Sequence, residues 1–236
     1  DDLAVVTLNV GVPELATRGD VDAKEHNSGV GAIDFLNDND WGLVDLRYII
    51  EIYPADNYDA PIFKETKTVN KYEPVSFELR LVPNRNYRFV VWADFVNEGQ
   101  NNDWRYNTSK GLANITPIGD FKPMDETRDA YTGTKYIANF SSGSDLSMAL
   151  TRPFAKVRVV ATDIEDITDL GLSPKAAKVS YLQDMYTKYN AVTDEASAAE
   201  AKSHSYTTFP YTDATGEKTL FADYVFVPES GGTAKF

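Results

Sequence analysis

The sequence predicts an all-β fold made of two β-sandwiches in tandem. Three observations lead there. Apolar residues recur at every second position over several separate stretches. Aromatic residues are abundant, with 14 Tyr, 12 Phe and 3 Trp in 236 residues, and flat rings cover cross-strand neighbours well. Clusters of Pro, Gly and Asn punctuate the stretches, as turns require.

Taken in order, Val6, Leu8, Val10 and Val12 alternate with Thr7, Asn9 and Gly11, giving a one-sided strand that Pro13 ends. Glu14 to Ser28 lacks either periodicity and reads as an exposed loop. Val44, Leu46, Tyr48, Ile50 and Ile52 then share one face, opposite Asp45, Arg47 and Glu51, up to Pro54. Val75, Phe77, Leu79 and Leu81 form the next strand. After the turn Pro83-Asn84-Arg85-Asn86 come Tyr87, Phe89, Val91, Ala93 and Phe95, with Trp92 and Asp94 on the reverse side. This short spacing predicts an antiparallel hairpin over residues 75–96. Residues 97–135 are polar and rich in Gly, Pro and Asn, a long segment expected to be functional or packed as its own unit. Short strands near Tyr136 to Phe140 and Leu146 to Leu150 close the first half.

A fresh strand runs from Phe154 to Ala161, so the boundary falls near Thr151, giving domains 1–150 and 151–236. Residues 164–172 and 194–203 are the helix candidates; the second has an acidic start and many Ala. Lys178 to Tyr189 reads as an aromatic-rich strand pair or one irregular strand, and Tyr224 to Val227 is a final apolar run. No fixed-period repeat is present.

Composition narrows function. Lys and Arg number 23 against 36 Asp and Glu, a formal net charge of −13, which repels nucleic-acid backbones and anionic headgroups. The absence of cysteine excludes disulfides, thiolate zinc sites and cysteine nucleophiles from this chain. No apolar run approaches the ~18 residues of a spanning helix. The chain opens Asp1-Asp2, with no basic or apolar leader region and no initiator Met, so a trimmed or mature form is expected.

Catalytic patterns are weak. His26 and His204 both sit in polar segments and read as solvated, and no Gly-x-Ser-x-Gly elbow accompanies them. Asp94, flanked by Trp92 and Phe95, is the best-placed carboxylate for glycosidase-type chemistry, against the plainer reading of a strand-end Asp capping a turn. Asn37-Asp38-Asn39-Asp40 lacks the register of a calcium loop, and no Gly-rich phosphate loop occurs, so no cofactor or metal is expected. Arg18-Gly19-Asp20 spells an integrin tripeptide in a loop. A binding or assembling protein is expected rather than an enzyme.

Two runs carry a family resemblance. Leu150-Thr151-Arg152-Pro153-Phe154-Ala155-Lys156-Val157-Arg158-Val159 is similar to the Leu-x-Arg-x-x-Ala-Lys-Val run opening the second domain of fimbrillins, the subunits and accessory adhesins of type V pili in Gram-negative anaerobes. Tyr87 to Phe95 resembles that family's first-domain strand ending in Trp-Ala-Asp. Weaker matches lie at Tyr189-Asn190 and Tyr224 to Pro228. The resemblance implies two transthyretin-like Greek-key sandwiches with few short helices, and export as a lipoprotein to the outer membrane and fimbrium. It also implies head-to-tail assembly with other pilus subunits by donor-strand exchange. Arg18 matches the family's processing site, so the strand bearing Val6, Leu8, Val10 and Val12 would be the removable one. The family's second domain usually continues past the strand resembling Tyr224 to Val227, so the second domain is expected to be incomplete at its C-terminus. A glycan-binding sandwich module is the alternative, with Trp92, Trp104 and Tyr106 as its ligand contacts.

Overall fold

The computed structural model describes residues 3–13, 42–119, 125–143, 146–161, 169–172, 176–182, 185–200, 205–208, 211–212 and 218–227. The strands are β1 (Ala4–Val10), β2 (Val44–Pro54), β3 (Phe63–Val69), β4 (Val75–Leu81), β5 (Tyr87–Asn97), β6 (Tyr106–Asn107), β7 (Thr116–Pro117), β8 (Ala130–Ile137) and β9 (Leu146–Met148). The second half adds β10 (Phe154–Ala161), β11 (Ala177–Ser180), β12 (Met185–Asn190), β13 (Glu195–Glu200), β14 (Ser205–Thr208), β15 (Tyr211–Thr212) and β16 (Lys218–Phe226). The 3-10 turn Glu126–Arg128 is capped by the Asp125 carboxylate accepting from the Thr127 N–H. The fold is all-β.

Two sheets build the first sandwich: β4-β1-β9, and β3-β2-β5-β8. Their facing side chains form a core drawn wholly from residues up to Leu150, including Val6, Leu8, Tyr48, Ile50, Phe77, Phe89 and Phe140. The period-2 pattern of β1 and β4 is obeyed, alternating buried and exposed along each strand.

The central strands β2 and β5 depart from the one-sided reading. Nearly every residue of both is buried, including Asp45, Arg47, Glu51 and Asp94. Their outer face carries Ile49, Val90 and Trp92, which join Tyr106, Leu112 and Ile115 and then Phe154, Tyr189, Tyr224 and Phe226 in a second core. The long polar segment is therefore packed between the first sandwich and the second half rather than as a separate unit. Its backbone is fastened to β12 and the turn after it: Ile115 and Tyr189 exchange two N–H to O bonds of 2.9 Å, and the Ala191 N–H donates to Leu112 O.

Several expectations are corrected. Residues 75–96 are no hairpin: β4 pairs with β1 and β5 pairs with β2 and β8, so the turn at Pro83 to Asn86 crosses from one sheet to the other. Both strands point their apolar faces at the same core, which is why their sequence pattern imitates a hairpin. The last strand of the central sheet is Ala130–Ile137, earlier than Tyr136 to Phe140. The charged strand Phe63–Val69 has no apolar alternation to announce it; it forms the edge of its sheet, where Lys64 and Lys67 deter further pairing. Residues 194–203 are not helical where described: Glu195–Glu200 pairs antiparallel with Met185–Asn190. Helix propensity of Ala there yields to a ladder with a neighbouring strand. Most of the expected 164–172 helix, both histidines and Asn37 to Asp40 lie outside the described residues.

The run that carried the strongest resemblance acquires a physical role. Leu150 closes the first core, and Phe154 enters the second. Between them the Arg152 guanidinium is buried against Asp129, with Nε at 2.8 Å and Nη2 at 2.6 Å from its oxygens. Lys156 Nζ lies 3.0 Å from Glu126 Oε2, which also accepts from the Tyr224 hydroxyl. One short stretch thus links both halves of the chain.

Candidate functional site

The candidate site is strand β1 and the core that it covers. Ala4, Val6, Leu8 and Val10 are buried, and Leu3, Val5 and Val12 are exposed. Val12, expected on the inward face, lies past the end of the strand, and Ala4 takes the fourth inward place. Pro13 is compatible with this ending, since proline has no N–H to extend a ladder.

The strand is central rather than an edge. On one side Ala4–Val10 runs antiparallel to β4, with Ala4 opposite Leu81, Leu8 opposite Phe77 and Val10 opposite Val75. On the other side Leu8, Asn9 and Val10 run parallel to Leu146, Ser147 and Met148, and the Gly11 N–H donates to Met148 O at 3.0 Å. Lifting β1 away would therefore bare two ladders of backbone groups and a slot in the core. Burying Val6, Leu8 and Val10 contributes roughly 1.5–3 kcal/mol each, or about 5–9 kcal/mol together.

Neither flanking strand was legible as a partner in sequence, because the pairing joins residues far apart in the chain. β9 is seated by close contact with β8: a Cβ on Gly133 would stand 2.7 Å from Ala149 O and 2.9 Å from Leu150 Cδ2. Thr132 and Thr151 add a two-bond bridge of 2.8 and 3.0 Å.

The other predicted residues are dispersed. Arg18 lies outside the described residues. Trp92 and Tyr106 are buried, at 0% and 3% exposure, with centroids 5.4 Å apart in an edge-on contact; such rings have no free face for a sugar. Trp104 is half-buried, and the Arg105 guanidinium covers its ring at 3.9 Å.

Asp94 lies fully buried within β5 rather than at a turn. Its two oxygens accept from Arg47 Nε at 2.8 Å and Nη2 at 2.7 Å, and Arg47 Nη1 donates to Asp103 at 2.9 Å. Burial pushes the Asp94 carboxyl up, and the paired guanidinium opposes that rise. Glu51 is also buried; it accepts from the Tyr53 hydroxyl, from Lys64 Nζ at 2.9 Å and from the Leu112 N–H at 2.8 Å. Nothing in the sequence pairs Glu51 with the Leu112 N–H, 61 residues further along the chain; its trace is a Glu flanked by apolar residues, Ile49 and Ile50 before it and Ile52 and Tyr53 after it. Among the described residues no group of three His, Asp or Glu side chains converges as a metal site.

The fold and site define an all-β protein whose first sandwich is closed by a central strand, Ala4–Val10. The chain belongs to a family of unknown function, DUF6562, which matches residues 3–236. No curated protein matches it. Among solved structures it is similar to a fimbrial assembly protein from Parabacteroides distasonis, with 11% identity, 99% of this chain and 84% of that one covered, and a TM-score of 0.42. It is similar to a candidate cell adhesion protein from Bacteroides ovatus, with 13% identity, 96% and 79% covered, and a TM-score of 0.45. A candidate adhesin from Bacteroides thetaiotaomicron has 12% identity, 95% and 69% covered, and a TM-score of 0.47.

Proposed function

We propose that this chain is a fimbrillin-like surface subunit or accessory adhesin that assembles with other subunits by exchange of its first strand, and that it catalyses no reaction. The observation that carries this reading is the central place of β1, flanked by β4 and β9 over the first core. Removing an edge strand would leave one unpaired ladder; removing this one leaves two, together with an apolar slot that water cannot satisfy. An extended peptide from another copy restores both ladders and the core, as in other strand-addition complexes. Donor and acceptor surfaces differ, so the contact is heterologous and propagates into a filament. Cleavage at Arg18, in the stretch after β1, releases the strand, and a lipid anchor holds the assembly at the outer membrane.

The test is limited trypsin digestion of the full chain followed by size-exclusion chromatography with light scattering. Preferential cutting at Arg18 is expected to yield oligomers as the N-terminal fragment leaves, and excess synthetic peptide of residues 3–12 is expected to suppress them. A clean cut at Arg18 that leaves a monomer after the fragment has dissociated refutes the assembly.

A further inference from the structure

The pole of the first sandwich at which β1 begins holds a groove of about 640 Å³ that the strand-exchange reading does not use. That volume lies in the range of about 300–1,000 Å³ in which proteins hold small organic ligands. Three turns build it: the one after β2, the crossing between β4 and β5, and the one after β8.

The turns are stitched to one another. The Ala55 N–H donates to Asn86 O at 3.1 Å, the Asn84 N–H to Phe140 O at 2.8 Å, and the Phe140 N–H to Arg85 O at 2.9 Å. The Asn139 N–H donates to Asn86 Oδ1 at 2.9 Å, which orients that amide and leaves its NH2 unused by the bond. Asn84 and Asn139 both adopt left-handed backbone, at φ 58° and 47°. Such a platform loses little freedom when a ligand lands on it.

The geometry points to a binding site for a neutral saccharide. Three Asn side chains offer planar donors and acceptors of the kind that sugar hydroxyls pair with. Tyr136, at 50% exposure, and Ile62, at 53%, supply an apolar wall for the C–H face of a pyranose. Arg85 and Asp56 contribute one charge of each sign, so the wall favours no ion, and the chain's formal charge of −13 disfavours an anionic ligand. A peptide is a poor occupant, because the N–H groups of Ala55, Asn84, Asn139 and Phe140 are already bonded within the platform and offer no ladder. This site is separate from the core face covered by β1 and does not depend on strand exchange.

The test is an array of immobilised neutral, sialylated and sulfated glycans probed with the uncleaved, fluorescently labelled full chain. Three variants accompany it: Tyr136→Ala, Asn84→Gly and Asn139→Gly. Glycine accepts the left-handed backbone at both Asn positions, so these two variants remove the amide and keep the turn. Retention on neutral glycans is expected, falling at least tenfold in each variant while the melting temperature stays within about 2 °C of the parent. Retention on none of the neutral glycans, on sialylated or sulfated glycans alone, or undiminished in all three variants overturns the proposal. A fall matched by a comparable loss of melting temperature in all three variants also overturns it, since the amides and the ring are then structural.

Discussion

Replacing Leu8 with alanine tests the packing on which strand exchange rests. Leu8 is 1% exposed, faces the core, and stands opposite both Phe77 and Leu146. The substitution removes three carbon atoms, costing about 2.4 kcal/mol in transfer at ~0.8 kcal/mol each. The void left between the two sheets raises this to about 3–4 kcal/mol. Val5→Ala removes two carbons from the same strand on its outward face, where the side chain is 47% exposed, and should cost under about 1 kcal/mol. Urea unfolding of the full chain, followed by tryptophan fluorescence, reads both costs as shifts in midpoint at constant slope. The same difference should appear in the cleaved protein. A residue 3–12 peptide carrying alanine for Leu8 should need roughly 150- to 700-fold higher concentration than the parent peptide to block oligomers, since ~1.4 kcal/mol is tenfold. Equal costs for Leu8→Ala and Val5→Ala would refute the inward seating of β1 and, with it, the slot that an incoming strand would fill.

Arg47→Met strips Asp94 of both its guanidinium bonds in a fully buried site and should cost about 3–5 kcal/mol, while Arg47→Met with Asp94→Leu recovers most of that; a denaturation cycle on the four proteins measures it. Gly133→Ala drives a methyl group to 2.7 Å from the Ala149 carbonyl oxygen and should cost about 1–3 kcal/mol, whereas Gly42→Ala, with open space around it, should change the midpoint little. Burial pushes the Asp223 carboxyl up to about 6 against the bonds it accepts from the Tyr224 N–H and the Tyr181 hydroxyl. The folded chain therefore holds this proton more tightly than the unfolded one, whose carboxyl titrates near 3.8, so stability falls as pH rises between those values and stays reduced above them. Asp223→Asn should gain on the parent by at most about 3 kcal/mol between pH 4 and pH 7 in melts across that range; a difference independent of pH contradicts the assignment.

What the sequence determined by itself was local. Alternation at Val6, Leu8 and Val10 and at Val75 to Leu81 specified strands and their inward faces, because side chains on a strand alternate whatever the strand pairs with. At Phe154 to Ala161 it specified the strand but not its inward face: Phe154 enters the second core while Val159 is 38% exposed. What only the tertiary structure decided was which strands meet and what covers their second faces. β1 sits between β4 and β9 through contacts between distant parts of the chain, and no residue pattern within ten positions records that. In sequence Arg47 and Glu51 stand opposite the apolar face and Asp94 reads as a catalytic carboxylate or a turn cap, yet each charge finds its partner on another segment, which allows the second half to bury that face and Trp92 with it. At Glu195–Glu200 local helix preference amounts to a few tenths of a kcal/mol per residue, and pairing with Met185–Asn190 outweighs it. Periodicity is a property of the backbone, and burial is a property of the whole molecule.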